Sequence, residues 1–234
     1  MSHQRTVPPD SAGYSHWFVV IVALFVTALI TANITAVKLI GLFGLAIDAG
    51  TIIFPISYIF GDVLTEVYGY RRARRVIWLG FFCNLLAVGA ILLGGALPAA
   101  PFWEDQQAYE TILGYAPRLL FASFCAYLIG EFANSYVLAK MKIATNGRWL
   151  WSRIIGSTLV GQGLDSAVFV VLAFSGTVPT GALVGIIVVN WLFKSVYEAL
   201  ATPLTYLVVN FLKRRENLDV YDRDTRFNPF LVTR

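Results

Sequence analysis

Six long apolar stretches, separated by short polar connectors, run the length of the chain: residues 17–40, 50–70, 74–97, 118–139, 153–174 and 182–212. A membrane-spanning helix needs about 20 mostly apolar residues. The pattern therefore predicts an all-α, polytopic membrane protein, with six transmembrane helices forming a single domain over residues 1–234. The first stretch turns polar towards its far end, at Thr27, Thr31, Asn33, Thr35 and Lys38, and carries Ala28, Ala32 and Ala36 as a ladder of small residues that lets another helix approach. Between the third and fourth stretches, LPAAPFWEDQQAYETILGYAP combines three prolines with aromatic and acidic residues, which predicts an interfacial segment with a short amphipathic helix. The sixth stretch exceeds the usual span and contains Pro203, so a tilted or kinked helix is expected there.

Composition reinforces the pattern. Hydrophobic residues make up 57% and charged residues only 14%, and the mean hydropathy is +0.67, whereas soluble domains carry about a quarter charged residues. The net charge of +4 matters less than where the bases lie. Arg71, Arg72, Arg74 and Arg75 follow the second span, Lys140, Lys142, Arg148 and Arg153 follow the fourth, and six more bases lie in the tail after residue 212. The opposite connectors hold almost only acids. By the positive-inside rule both termini are cytoplasmic, in a multi-pass protein of the cell inner membrane. The first stretch is too long for a typical signal peptide and reads as a retained helix. Cys83 and Cys125 lie within apolar stretches and read as buried small side chains.

The chemistry sits inside the spans. With a rise of about 1.5 Å per residue, Asp62, Asp165 and Lys194 fall roughly 16 to 18 Å from one surface and Glu131 roughly 20 Å, in a core about 30 Å thick. Within each helix the polar groups recur at three or four residues: Asp62 with Glu66, Glu131 with Asn134, Gln162 with Asp165, and Asn190 with Lys194 and Glu198. Such faces turn away from lipid and together would line one cavity. Interhelical ion pairs serving only assembly, such as Lys194 with Glu198 or Asp165, are the alternative for any one of these residues. Away from the span ends the five acids face one lysine, Lys194, which favours a cation, a proton or a donor-rich solute. A carboxylate accepts two parallel bonds from a fork of donors such as a guanine-like ring presents, and Tyr58, Phe60, Tyr127 or Trp191 would stack on a flat ring. Composition suggests a planar, nitrogen-rich solute without naming one.

Other chemistries fail on inventory. A metal site or an intramembrane serine protease needs a histidine at depth, and only His3 and His16 exist, at or before the first span. There is no phosphate-binding loop, CxxC or paired Asp-rich motif. No catalytic residue, metal or cofactor is therefore expected.

The stretch FPISYIFGDVLTEVYGYRRARRVIW resembles the signature of the queuosine precursor transporter family, also called the vitamin uptake transporter family. RLLFASFCAYLIGEFANSYVLAKMK, WLWSRIIGSTLVGQGLDSAVF and the tail LDVYDRDTRFNPF agree with it. The resemblance implies a six-helix importer of 7-cyano-7-deazaguanine, 7-aminomethyl-7-deazaguanine or both, for tRNA modification. On matching positions it implicates Phe54, Pro55, Asp62, Glu131, Gln162, Asp165 and Lys194 in substrate binding; the polar pattern adds Glu66, Asn134 and Asn190. It also implies a fold similar to the substrate-binding subunits of energy-coupling-factor transporters. Such a subunit, driven by an ATPase and importing a vitamin or nucleobase, is the alternative reading. The expected partners are a guanine-like base and membrane lipid, with no nucleic acid and no ATPase coupling module. A homodimer stays open.

Overall fold

Ser15 starts the first helix: its hydroxyl accepts a hydrogen bond from the Phe18 N–H at 3.0 Å, satisfying one of the unpaired first-turn donors. In this computed structural model, which describes residues 14–42, 45–114 and 117–231, helix α1 spans His16–Thr35 and buries Phe25 and Leu29. It ends earlier than the expected residue 40. The chain instead forms two short antiparallel strands, β1 (Leu39–Leu42) and β2 (Leu45–Asp48), with Leu39 opposite Asp48. Ile40 and Gly41 are poor helix formers, and the ribbon gives their backbone another set of partners. This ribbon is a small addition to a helical fold.

Helix α2 (Gly50–Val63) continues directly into a π-helical turn, Leu64–Tyr68, which Gly69 stops with φ +83°. At 14 and 5 residues the two parts together match the predicted second span, a rise of about 28 Å. The other spans appear as α3 (Tyr70–Ala96), α5 (Pro117–Ala144), α6 (Leu150–Phe174) and α7 (Thr180–Glu216). With α1, these are long and apolar enough to cross a membrane, α5 being taken with the segment leading into it. The expected amphipathic segment is α4 (Gln106–Leu113), tied to α3 by the Tyr109 hydroxyl donating to the Ile91 carbonyl at 2.9 Å. Helix α7 runs without a break through Pro203, whose ring is exposed.

Helix α5 packs along α6, α6 along α7, and α2 against α1 and α7. The closest approach lies between α5 and α6. A β-carbon on Gly130 would fall 2.6 Å from the Tyr58 hydroxyl oxygen and 2.8 Å from Asp165 Cβ, and one on Gly161 would fall 2.7 Å from Asn134 Cβ. Small residues here bring polar side chains of three helices together. Gly130→Val is therefore expected to lower stability by about 1–3 kcal/mol or more, read as a fall in the melting temperature of purified protein. An unchanged melting temperature would show that the helices are free to separate at this point.

One end of the bundle is basic and gathers the ends of α2, α5 and α7 with the starts of α1, α3 and α6. The tail after α7 crosses this end. The Val220 N–H donates to the Val67 carbonyl at 3.3 Å, and Asp222 caps α3 by accepting from the Tyr70 N–H at 2.9 Å. Gly69 makes room for this crossing, since a β-carbon there would lie 2.7 Å from Val220 Cγ1. Further along, Arg74 donates to the carbonyls of Arg226 at 3.0 Å and Asn228 at 2.6 Å, and the Trp78 indole donates to Pro229 at 2.8 Å.

Candidate functional site

Four helices deliver polar side chains to one buried region. From α2, Asp62 accepts a hydrogen bond from the Asn134 amide of α5 at 2.7 Å. Its second oxygen has no hydrogen-bond partner among the described residues and lies within reach of Glu198 on α7. Glu131, one turn before Asn134 on α5, is 0% exposed, and neither of its carboxylate oxygens is hydrogen-bonded by the described residues. It lies over Gly61, where a β-carbon would come within 2.9 Å of its Oε2. From α6, the Gln162 amide donates to Glu198 at 3.5 Å, and its own carbonyl oxygen has no partner among the described residues.

The positive charge sits to one side. Lys194 donates to Asp165 at 2.7 Å and lies 4.5 Å from the centre of the Phe54 ring, a cation–π contact. Phe54 in turn packs against Tyr58, with ring centroids 5.3 Å apart. The Lys194 side chain is 16% exposed and that of Asp165 5%, so burial deepens from Lys194 towards the carboxyl cluster. Asn190 lies one turn before Lys194 on α7, towards the end away from the basic one, and Pro55 is buried beside Phe54 on α2.

The arrangement gathers Asp62, Glu131, Asn134, Gln162, Asp165 and Lys194, with Phe54 at the edge. Glu66 is held elsewhere. It lies within the π turn, where the α-helical spacing that would align it with Asp62 is widened. Its Oε1 accepts from Arg153 and Lys213, each at 2.7 Å, with Lys142 at 3.6 Å. Asp219 of the tail closes the knot, 2.6 Å from Lys142 and 2.9 Å from Lys213.

Two features escape a reading by hydropathy. Arg153 and Lys142 look like interfacial anchors in sequence, yet both are buried and hold an acid of another helix. Tyr58 looks like a stacking aromatic. Its hydroxyl is instead fully buried, faces Asp165, Glu131 and Glu198, and makes no hydrogen bond with the described residues. The π turn leaves no trace in residue spacing, so only the structure reveals where Glu66 goes.

This four-helix polar cluster falls wholly within residues 48–208, the part of the chain that matches the sequence profile of the family described as putative vitamin uptake transporter. The chain belongs to that family. A probable queuosine precursor transporter of Bacillus subtilis (strain 168) is 32% identical over 192 residues, covering 81% of this chain and 83% of that protein. The queuosine precursor transporter of Escherichia coli (strain K12) is 24% identical over 156 residues, 65% of this chain and 66% of its own. A probable queuosine precursor transporter of Haemophilus influenzae is 26% identical over 149 residues, 62% and 59% of the two chains. No solved structure matches. Membership in this family, together with the apolar helices, makes the chain a multi-pass membrane protein of a transporter family and not an enzyme.

Proposed function

We propose that this protein imports queuosine precursors, the deazaguanine bases 7-cyano-7-deazaguanine and 7-aminomethyl-7-deazaguanine, binding them at the Asp62–Glu131–Asp165 region. The observation that carries the reading is the excess of unpartnered acceptor oxygens, on Asp62, Glu131, Gln162 and Glu198, inside the matched region of the chain. Unpartnered buried acceptors are costly, and a guanine-like edge offers the donor fork that relieves them. In this reading Lys194, already paired with Asp165, donates to a ring carbonyl, and Phe54 covers a ring face.

The basic end faces the cytoplasm of the inner membrane, placing both termini inside. The base enters from the opposite side past Asn190, Phe54 and Lys194, while the Glu66 knot and the tail close the cytoplasmic side. Ala28 and Ala32 are buried within the bundle, so the small-residue face of α1 is not free to meet a coupling module. This supports a transporter that works alone.

The test is uptake into cells unable to make the precursor, read as queuosine in tRNA. Asp62→Asn keeps the side chain's size and its contact with Asn134 but loses the charge. It is expected to cut uptake by about tenfold or more, the effect of one charge-assisted hydrogen bond. Full uptake by this variant would remove Asp62 from the site.

A further inference from the structure

The polar cluster has a charge imbalance that substrate binding alone does not resolve. Asp62, Glu131 and Glu198 come from α2, α5 and α7 and are each at most 1% exposed, and the described residues place no cation against any of them. Lys194, the cation of this region, is held by Asp165 at 2.7 Å. One turn along α2, Arg153, Lys142 and Lys213 are engaged by Glu66 and Asp219. The neutral groups around the three acids are Asn134, Thr158, Gln162 and the tyrosines Tyr58 and Tyr127. Four of them carry a buried atom with no partner among the described residues: the Tyr58 and Thr158 hydroxyls and the Asn134 and Gln162 carbonyl oxygens.

Three carboxylates cannot remain ionised together at this depth. Each buried charge costs several kcal/mol, and neighbouring like charges add to that cost. Protons answer the problem when no cation is present, and the approach of Glu198 to Asp62 suits two carboxyl groups sharing one proton. Glu131 differs from the other two, because neither of its oxygens is hydrogen-bonded by the described residues.

We propose that the Asp62–Glu131–Glu198 triad is a proton-exchange site: it holds protons in the empty carrier and releases one, from Glu131, when a base bearing an ammonium group binds. The released proton goes to solvent, the ammonium takes its place as the counter-charge, and the charge of the buried region is unchanged. A neutral base binds without this release. Import of the cationic base is then an exchange for a proton, and pH sets the preference between the two kinds of base. This rests on the proposed function.

The experiment measures binding of both bases to purified full-length protein across a pH range in which the aminomethyl group stays protonated. Affinity for 7-aminomethyl-7-deazaguanine is expected to rise about tenfold per pH unit while affinity for 7-cyano-7-deazaguanine stays level, as release of one proton requires. Calorimetry of the cationic base in two buffers of different ionisation enthalpy should count that proton directly. Equal pH dependence for the two bases, with both binding, overturns the exchange and leaves the proposed function standing. Failure of both bases to bind overturns the proposed function and the exchange with it. Glu131→Gln is expected to flatten the slope for the cationic base, whatever its affinity. A folded variant that keeps the full slope removes Glu131 from the role, and the wild-type comparison decides the exchange even if the variant does not fold.

Discussion

Lys194→Met is expected to abolish uptake and to destabilise the protein by about 3–5 kcal/mol, because it strands Asp165 as an uncompensated buried charge. Adding Asp165→Asn should recover most of that stability, since the double variant buries no unpaired ion. Uptake separates the two roles open to the pair. If the 2.7 Å contact serves only assembly, the double variant transports as well as it folds. If the pair meets the base, the double variant folds and does not transport. The position of Lys194, in contact with Phe54 at the more exposed edge of the cluster, points to the second outcome. Melting temperature and precursor uptake, measured on the two single variants and the double, decide it.

The apolar periodicity of this chain carries its helices, because lipid and core both select long runs of apolar residues. It carries the candidate site residues for a related reason: a polar group at membrane depth must face the protein interior. Asp62, Glu131, Asp165 and Lys194 come together for that reason, even though no spacing specifies which of them pair. The sequence pattern leaves Lys194 equally able to meet Glu198 or Asp165, and the geometry selects Asp165. Glu66 departs from the expected shared face with Asp62. It stands four residues after Asp62, yet the π turn and three bases from α5, α6 and α7 draw it into another cluster. Nothing local encodes the turn, and the bases read as topology signals. The β1–β2 ribbon is missed because its residues are as apolar as those of the helix before it.

Removing residues 218–234 is expected to leave little folded protein, although the described part of this segment, 218–231, forms no helix and the whole lies outside the matched region. The loss acts in three places. Without Asp219, the three bases around Glu66 keep one acid in place of two; Asp219 is partly exposed, so its own share is about 1 kcal/mol. Without Asp222, α3 loses the acceptor for its first N–H, worth about 1 kcal/mol. Arg74, buried beneath the tail, loses its carbonyl partners on Arg226 and Asn228, two hydrogen bonds from a charged donor, which is the largest of the three costs. Point variants rank these contributions. Asp222→Ala and Asp219→Asn should each cost about 1 kcal/mol in thermal melts, and both should remain folded. The Asp219 contribution also has a predictable pH window. Burial pushes its carboxyl up, but Lys142 and Lys213 outweigh that and hold it below the usual range. Its share of stability is therefore fully present above about pH 3.9, the unfolded value, and is lost as pH falls through the lower folded value. A truncated protein that accumulates in membranes and melts like the full chain would show that the strap is dispensable, and the closed basic end would then have to rest on the Glu66 knot alone.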